Sequence, residues 1–558
     1  MMDTPRIDPP TKPARPRIVP PAKPAPPVKP SAPVARPTLD CARDAAELAK
    51  LPRPEPGPQR GQSRAGSRFP PSAGQVVGYV HGRCCFNDIA AAIKTATSPE
   101  HRIYLTGWWL ATDTWLLDRP PPPDRSAYLL SDLLAASRAQ IRSMTWKPPF
   151  VKPPIPDNKP WVDFVNGLPH GAAIADAKLP GPQRTDGTSL CLGVHHQKIV
   201  VVVGESGTIA FLGGMDLNNT RLSNQGVEPL HDVHVRLTGP VAAQVLQTVR
   251  ERWSDHPDAA GLEVAKFQAD PKDPFRTAFP ATPPVAAGVP TCTLARGEKV
   301  PDRQVLIGRT YAEMRKFSRP DVYAFAAAGE HTALNMVLDG IHKARRTIYL
   351  EDQYLTSRII REELVKKVQE DGFQHLLILL CNSDAIANEE FPQLRIYRNE
   401  YRRDLLTADP SRSRWSMYAL KPCPGPARRP FSGEYVHSKT WIFDDTYTIT
   451  GSANCTDRSF TFDTEIVAGI GERGFVREGP DQFSMALRMN LWHKHLGVPH
   501  NLVRDWGAGL RRWKSPPPSA MVYDASQLEN DPDTNTPFGT DADAVERSRR
   551  VFDTDGLK

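Results

Sequence analysis

The sequence predicts an α/β fold made of two pseudo-symmetric halves with a functional site between them. One observation is a pair of apolar strand-and-turn segments, 102–110 and 347–355, which begin 245 residues apart and each follow a predicted helix. Another is a pair of His-x-Lys triplets, which begin at His196 and His437 and lie 241 residues apart. Two landmarks that repeat at nearly the same offset indicate a duplicated helix–strand…strand unit.

The hydrophobic pattern of the first half predicts its elements in order. Apolar residues at helical spacing predict helices at 87–97, 129–142 and 242–253. The β-branched run 199–203 predicts a strand, followed by a Gly-containing turn and a returning strand at 208–212. Residues 147–190 read as a long irregular stretch, because Pro, Gly and Asp are frequent in it. Such a stretch beside a site is more often functional than idle.

The second half repeats this plan with a different set of helices. A helix is predicted at 334–343, and the apolar run 374–380 predicts a buried strand. The segment 392–406 is predicted to be an arginine-rich helix whose basic face meets either solvent or lipid headgroups. A last helix at 481–497 closes the fold.

Composition divides the chain into five regions. Residues 1–75 are rich in Pro, with Lys, Arg and Ala between, so they bury too little apolar surface to offset their ordering entropy. We expect a disordered, extended arm there, either a docking segment or a passive linker. The two halves are assigned to 76–255 and 311–500, with a Pro- and Ala-rich linker at 256–310. Residues 501–558 are expected to form a polar, mobile C-terminal tail.

The more complete of the two motifs lies in the second half. His437 and Lys439 precede an apolar run that ends at Asp444, and a small-residue turn containing Ser452 and Asn454 follows. Side chains at i and i+2 of a strand share a face, so the imidazole and the ammonium can meet one phosphate. The first copy has His196, Lys198 and the turn residue Asp216.

Two such copies brought together supply the groups that cleave a phosphodiester. One neutral imidazole attacks phosphorus and forms a phospho-His intermediate. The other protonates the leaving oxygen and then activates water or an alcohol. The lysines offset the negative charge on the phosphate oxygens. No metal and no cofactor is required by this chemistry.

The motifs resemble those of the phospholipase D superfamily, whose signature is His-x-Lys followed by four residues and Asp, then a Gly-rich turn with Asn. The second copy matches at His437, Lys439, Asp444, Ser452 and Asn454. The likeness covers roughly residues 76–500 and is most similar to the larger lipid-cleaving branch, because the segments 107–109 and 351–354 look like that branch. It implies an α/β/α fold with two mixed sheets and the active site at their interface.

The resemblance also implies carboxylate partners for the catalytic imidazoles. In the family an acidic side chain bonds the far nitrogen of the catalytic His, which fixes the tautomer and stabilises the imidazolium. Asp232 is the candidate partner for His196. Of Asp463 and Glu465, Glu465 is preferred for His437. His196 is assigned as nucleophile and His437 as acid and base, although the reverse assignment stays open.

The first motif departs from the signature at one position. Val203 stands where the second motif has Asp444, and the Gly-rich turn follows His196 by 17 residues rather than 14. Glu205 is a candidate for a partial substitute. In the family this Asp mainly supports the motif loop, so its loss is expected to be tolerated. If it is not, the chain is a lipid- or phosphate-binding pseudoenzyme.

These assignments predict a phosphodiesterase that hydrolyses phospholipids to phosphatidic acid and headgroup. The alternative is an enzyme of the same fold acting on nucleic acid. A net charge of +7 over 558 residues is mild and suits an anionic substrate or membrane surface. We therefore expect peripheral contact with a phospholipid surface and no stable complex with nucleic acid. Oligomeric state is left open.

The location of the protein is expected to be cytoplasmic or outside the cell by an unusual route. The N-terminus has no apolar core of a signal peptide, and no apolar run reaches about 18 residues. These features fit a cytoplasmic protein, or an exported antibacterial or host-directed effector whose Pro-rich arm docks on a secretion machine. The eight cysteines contain no C-x-x-C, so neither zinc nor a disulfide framework is indicated.

Overall fold

The computed structural model gives the fold of most of the chain outside the N-terminal arm. The residues that it describes are 69–116, 129–148, 155–180, 193–221, 230–279, 300–317, 321–382, 393–421, 435–471, 483–529, 545–546, 548–549 and 553. The predicted arm at 1–75 therefore lies outside the described residues, apart from its last seven positions.

The first half combines seven strands and five helices among the described residues. The strands are β1 (Ser72–Val80), β2 (Arg102–Gly107), β3 (Gln140–Trp146), β4 (Gly171–Asp176), β5 (Ile199–Gly204), β6 (Gly207–Gly213) and β7 (Val233–Thr238). The helices are α1 (Gly82–Lys94), α2 (Leu130–Ala136), α3 (Lys159–Gly167), α4 (Pro240–Asp255) and α5 (Ala259–Phe267).

The second half begins with a long strand and continues through the same alternation. Its described strands are β8 (Asp302–Tyr311), β9 (Glu330–His331), β10 (Thr347–Asp352), β11 (His375–Leu380), β12 (Trp415–Leu420), β13 (Thr440–Phe443), β14 (Tyr447–Gly451), β15 (Glu465–Gly471) and β16 (Val522–Asp524). Its described helices are α6 (Thr332–Lys343), α7 (Arg358–Gln369), α8 (Leu394–Ala408), α9 (Asp457–Thr461), α10 (Phe483–Leu496) and α11 (Trp506–Lys514).

The strands of both halves form one continuous mixed sheet. Its order over the described residues is β16-β12-β11-β10-β13-β14-β15-β8-β1-β7-β6-β5-β2-β3-β4, with β9 paired to β8. Counted outward from the β8–β1 junction, the second half runs β8-β15-β14-β13-β10-β11-β12 and the first half runs β1-β7-β6-β5-β2-β3-β4. Each strand of one series has the same place in its half as its counterpart in the other, and β16 is an addition at the edge of the second half. The predicted pseudo-symmetry is therefore present in the strand pairing. The two sheets expected from the resemblance are joined at this junction, because antiparallel pairing of Ser72 with Val305 and Gln75 with Asp302 covers both strand edges.

Helices cover both faces of the sheet and give three layers. On one face, the first half packs α1 to α3 over β2, β3 and β5, and the second half packs α6 to α8 over β10 and β11. The other face carries α4, α10 and α11 over strands of both halves in a shared core. The predicted α/β class and layered arrangement are thus confirmed. No helix in the described part of the chain is long and apolar enough to cross a membrane.

Two predictions for the first half are wrong in detail. The expected helix at 129–142 ends with α2 at Ala136, and β3 begins at Gln140. Apolar residues of that segment satisfy both spacings, and pairing of β3 between β2 and β4 decides the outcome. The expected irregular stretch at 147–190 contains α3 and β4. Its prolines lie outside those elements except at the first turn of α3, where a missing N–H costs nothing.

The predicted linker and tail also contain ordered elements. Within 256–310 lie α5 and the start of β8, the strand that joins the halves. Within 501–558 lie α11 and β16, and the latter pairs with β12. Trp506 and Trp513, seven residues apart on α11, contact Trp492 in the shared core, which is why this polar-looking segment packs.

The cysteines agree with expectation only in part. Cys85, Cys381 and Cys455 are free and buried. Cys84 is disulfide-bonded, a bond that the spacing of the cysteines did not indicate.

Candidate active site

Both His-x-Lys segments are anchored by backbone hydrogen bonds to the opposite half. The N–H of His196 donates to the carbonyl of Thr464 at 3.0 Å. The N–H of His437 donates to the carbonyl of His231 at 2.7 Å. Each of these carbonyls belongs to the residue directly before an acidic residue. The pseudo-twofold relation therefore sets each motif beside a carboxylate of the other half.

The imidazoles are bonded to those carboxylates across the interface. Nδ1 of His196 lies 2.9 Å from Oε1 of Glu465, and Nδ1 of His437 lies 2.8 Å from Oδ2 of Asp232. The sequence-based pairing, Asp232 with His196 and Glu465 with His437, is therefore wrong. It assigned each motif a carboxylate from its own half, whereas the backbone pairing crosses between the halves.

A pocket of about 250 Å³ is lined by both imidazoles. Because Nδ1 of each ring is bonded to a carboxylate, Nε2 is the nitrogen left for a substrate. The remaining wall mixes aromatic, cationic and amide side chains, which include Trp108, Trp109, Arg221, Gln353, Tyr354, Tyr435, Asn454 and Arg458. A site of this kind can bind an anion through its polar groups and an apolar substituent through its aromatic ones.

Burial controls the protonation of the four paired groups. Burial, followed by the two motif lysines, holds the pKa of His196 well below its ordinary value. Burial and Lys439 do the same to the pKa of His437. Burial raises the pKa of Asp232 to about 6 and that of Glu465 to about 8. These shifts favour neutral imidazoles, the nucleophilic form, and a phosphate charge beside them would raise their pKa values again.

The two lysines are both buried but have different neighbours. Lys198 Nζ lies 3.3 Å from Oδ2 of Asp216 and donates to the carbonyl of His196 at 2.9 Å. Lys439 Nζ donates to Oε1 of Gln353 at 3.0 Å and to the carbonyl of its own motif histidine. Burial lowers the pKa of Lys198, and it lowers the pKa of Lys439 to about 7.

The three predicted substrate-binding residues have different positions. Asn454 lines the pocket, and its buried Oδ1 has no hydrogen-bond partner within the described residues. Ser452 donates to Glu465, so it supports a carboxylate instead of facing the substrate. Asp216 accepts from the backbone N–H groups of Trp108 and Trp109 at 2.8 and 3.1 Å. It therefore fixes the aromatic wall and Lys198.

Asp444, predicted among the catalytic residues, holds a loop. Its carboxylate accepts backbone N–H bonds from Arg345, Arg346 and Thr347 at 3.0, 2.8 and 2.8 Å. Asp444 follows the last residue of β13, whereas His437 precedes the first. At the rise per residue of a β-strand, the two residues are roughly 20 Å apart along the chain. Asp444 has φ +52° and starts the turn to β14. A catalytic role for Asp444 is therefore wrong, and its role is to tie the β13–β14 hairpin to the start of β10.

The corresponding tie in the first half is made differently. Val203 is buried inside β5 and pairs with Arg102 and Thr208. Glu205, two residues on, accepts from the hydroxyl of Thr97 in the α1–β2 connection. The N–H of Glu205 also donates to the carbonyl of Thr95 at 3.0 Å. Glu205 thus ties the β5–β6 hairpin to the connection before β2, as Asp444 ties the β13–β14 hairpin to the connection before β10. Glu205 is therefore a partial substitute for the missing Asp.

A buried group behind His437 brings together three residues of the kinds that bind metals. His231, Glu351 and His495 place their ligand atoms within 4.8 Å of one another, the group of this kind found among the described residues. Nε2 of His231 lies 2.7 Å from one oxygen of Glu351, and Nε2 of His495 lies 2.9 Å from the other. Tyr349 also donates to Glu351 at 2.6 Å. The carboxylate of Glu351 thus accepts from both imidazoles and from Tyr349, and the network supports the backbone that holds His437.

Sequence reasoning missed Gln353, Arg221 and Arg458 as pocket residues. A usable signal existed for the two arginines, since they follow the turn residues Asp216 and Asn454 by five and four positions. Basic residues that follow duplicated turns at nearly equal distances point to one site.

Comparison with known proteins finds a matching family model and several relatives. A family model described as a cardiolipin synthase, phospholipase D-like domain, matches residues 337–486. Phospholipase D alpha 1 of Oryza sativa subsp. japonica is 25% identical over 550 residues, which cover 74% of this chain and 63% of the relative. Phospholipase D alpha 1 of Nicotiana tabacum is 25% identical, with 77% and 66% covered.

These matches support a likeness of the chain to the phospholipase D superfamily. The chain spans less than two thirds of the length of these plant relatives. Among solved structures, phosphatidylserine synthase of Haemophilus influenzae Rd KW20 is similar, with a TM-score of 0.47 and 12% identity over 88% of this chain and 93% of that one. The phospholipase D family member Nuc of Salmonella typhimurium has a TM-score of 0.22 and 14% identity over 39% and 96%.

Proposed function

We propose that this chain is a phospholipase D-like phosphodiesterase that hydrolyses phospholipids to phosphatidic acid and headgroup. The observation that carries the proposal is the crossed arrangement of the two imidazole–carboxylate pairs, His196 with Glu465 and His437 with Asp232. Both rings keep Nε2 for one pocket, and each motif also places a buried lysine that donates to the carbonyl of its own histidine. These are the groups that a two-step displacement at phosphorus needs.

The proposed reaction proceeds through a covalent phospho-His. Nε2 of neutral His196 attacks phosphorus, an N–P bond forms, and the bond from phosphorus to the headgroup oxygen breaks. His437, protonated once the phosphate charge is bound, gives its Nε2 proton to that oxygen. His437 then takes a proton from water, whose oxygen attacks phosphorus and releases His196 and phosphatidic acid. Lys198 and Lys439 offset the charge on the non-bridging oxygens.

A lipid substrate is supported by the wall of the pocket. Trp108, Trp109, Leu230 and Tyr354 line the same pocket as the imidazoles. Aromatic and aliphatic surface beside a phosphate site suits a substrate with an apolar part and a polar linkage. The proposed membrane contact is peripheral, and delivery by a secretion machine through the arm at 1–75 belongs to the same proposal.

The position of Val203 supports an active enzyme over a pseudoenzyme. The carboxylate of its counterpart Asp444 accepts from the backbone N–H groups of Arg345, Arg346 and Thr347, and Asp444 follows the end of β13 that is remote from His437. The substitution at Val203 therefore removes a support for a hairpin, and Glu205 supplies part of that support. No group that meets phosphorus is lost.

Transphosphatidylation tests the proposal. The purified chain is incubated with mixed phospholipid vesicles, a few per cent ethanol and EDTA, and the products are separated by mass. Phosphatidylethanol is expected, because an alcohol captures a phosphatidyl-enzyme that water would otherwise hydrolyse. His196→Ala and His437→Ala should each abolish the product, while the exposed His342→Ala should leave it unchanged.

The other outcomes separate the alternatives. Cleavage of DNA in EDTA without any lipid product would replace the proposal with a nuclease. Vesicle binding without turnover would favour the pseudoenzyme. Full activity in both His variants would contradict the mechanism itself.

A further inference from the structure

We propose that Arg221 is a third cationic ligand of the substrate phosphate. The inference rests on the proposed function and adds a residue that neither His-x-Lys motif contains. Arg221 ends the short 3₁₀ helix Asn219–Arg221, which follows the first Gly-rich turn. Its side chain is buried yet lines the pocket that holds both imidazoles.

The hydrogen-bonding capacity of Arg221 is largely unused within the described residues. Nη1 donates to Oγ1 of Thr220 at 3.0 Å. Nε is buried without a hydrogen-bond partner there, and it lies 3.6 Å from Oδ2 of Asp232. That separation exceeds a hydrogen bond. A guanidinium carries five N–H donors, and burying them unpaired is costly unless an anion enters the site.

Asp232 does not by itself account for Arg221. Its Oδ2 accepts from His437 at 2.8 Å and its Oδ1 from the N–H of Val233 at 2.9 Å. The carboxylate is thus bonded at both oxygens without Arg221. The guanidinium contributes charge to its surroundings: it opposes the rise that burial causes in the pKa of Asp232, and it adds to the effects of burial and Lys439 that lower the pKa of His437.

The second arginine of the pocket, Arg458, is paired with a carboxylate and serves as a comparison for Arg221. Nε and Nη2 of Arg458 donate to the two oxygens of Asp463 at 2.7 and 2.9 Å. That bidentate pair uses the two N–H groups on one edge of the guanidinium, the edge with which an arginine binds an oxyanion. Arg221 makes no bidentate pair with a carboxylate among the described residues, so the corresponding N–H edge of its guanidinium remains for a phosphate.

The phosphate in question carries one negative charge as a diester and gains a second as phosphorus becomes five-coordinate. Lys198 is partly offset by Asp216, and burial lowers the pKa of Lys439 to about 7. An arginine stays protonated at every pH of interest. Arg221 therefore supplies a cation that does not weaken when Lys439 loses its proton.

Binding of inorganic phosphate, measured by calorimetry in EDTA, tests this role without turnover. Arg221→Gln should raise the dissociation constant roughly ten- to a hundredfold, the range for a lost hydrogen bond to a charged group. Arg221→Lys should raise it less, because a point charge remains. Arg345→Gln, which removes the same charge from an exposed position, should leave it unchanged. Thermal unfolding of each variant establishes that it is folded.

Three results would overturn the proposal. Wild-type protein that does not bind phosphate would do so, and so would Arg221→Gln with unchanged phosphate affinity. A shifted pH profile of turnover with unchanged phosphate affinity would instead show that Arg221 acts through Asp232. Phosphate binding that depends on Arg221 in a protein without lipid turnover would keep this inference and reject the proposed function.

Discussion

The two halves carry the same reactive groups on differently built supports. Each contributes a His bonded to a carboxylate of the other half, and each contributes a buried Lys beside it. The hairpin after the second motif is held by three N–H bonds to Asp444, whereas the hairpin after the first is held through Glu205. The proposed chemistry at phosphorus would constrain the reactive groups on both sides, while several different contacts can hold a hairpin.

The motif lysines of the two halves also have different neighbours. Lys198 faces the carboxylate of Asp216, and Lys439 faces the amide of Gln353. A neighbouring carboxylate favours the charged form of a lysine, and an amide does so much less. The halves are therefore symmetric in fold and unequal in charge.

The largest expected effect comes from breaking the crossed pairs. Asp232→Asn and Glu465→Gln should each lower turnover about 10²- to 10⁴-fold, because a neutral amide no longer stabilises the imidazolium. Nitrogen chemical shifts of the rings check the crossing. Asp232→Asn should move those of His437, and Glu465→Gln those of His196.

The exposed Asp163→Asn serves as the control and should change neither ring nor turnover. A response of His196 to the Asp232 variant, with His437 unmoved, would contradict the crossed geometry.

Replacing Val203 of the first motif with the Asp found at the matching position of the second motif should not raise activity. Val203 is buried in β5, so Val203→Asp should destabilise the fold by roughly 2 kcal/mol through lost apolar burial and carboxylate desolvation. Its cross-strand neighbour Arg102 already donates to the carbonyl of Thr277 at 2.8 and 2.9 Å. Urea titration gives the free energy of unfolding. A variant that is more active per folded molecule would mean that the first motif is impaired.

The hairpin supports should differ in strength. Asp444→Asn weakens three charge-assisted bonds and should cost about 1–2 kcal/mol of unfolding free energy. Glu205→Gln alters one exposed contact and should cost less than about 0.5 kcal/mol. Urea midpoints of both variants measure the contrast. Equal losses would show that the two hairpins are supported alike, and a loss of turnover without a loss of stability would return Asp444 to the active site.

The charge inequality predicts a pH dependence with a definite sign. The pKa of Lys439 is lowered to about 7, so the Michaelis constant should rise as the pH increases above 7 and this cation is lost. Asn454→Asp copies the acidic turn residue of the first half and should move that rise upward by about one pH unit. Steady-state kinetics from pH 6 to 9 measure it, with the exposed Asn501→Asp as control. An unmoved profile would exclude Lys439 as the titrating group.

The same lowered pKa affects stability in a fixed direction. Between about pH 7 and the ordinary lysine pKa of about 10.4, the unfolded chain binds a proton at Lys439 that the folded chain does not. The contribution of this group to the unfolding free energy therefore increases with pH across that window.

The sequence by itself determined the duplicated unit, the α/β class and the identity of both His-x-Lys motifs. Those features are local, since strand periodicity and the spacing of His437 and Lys439 are properties of short segments. The resemblance to the phospholipase D superfamily added Asp232 and Glu465 as carboxylate partners of the imidazoles.

Only the tertiary structure decided which carboxylate serves which ring. That choice depends on bonds such as His437 to the carbonyl of His231, which join residues about two hundred positions apart. The tertiary structure likewise assigned Asp444 to a loop and Arg221 to the pocket, and it placed the end of the supposed linker in β8. Each outcome follows from contacts between segments that are far apart in the sequence, and no local pattern encodes which distant segment a residue will meet.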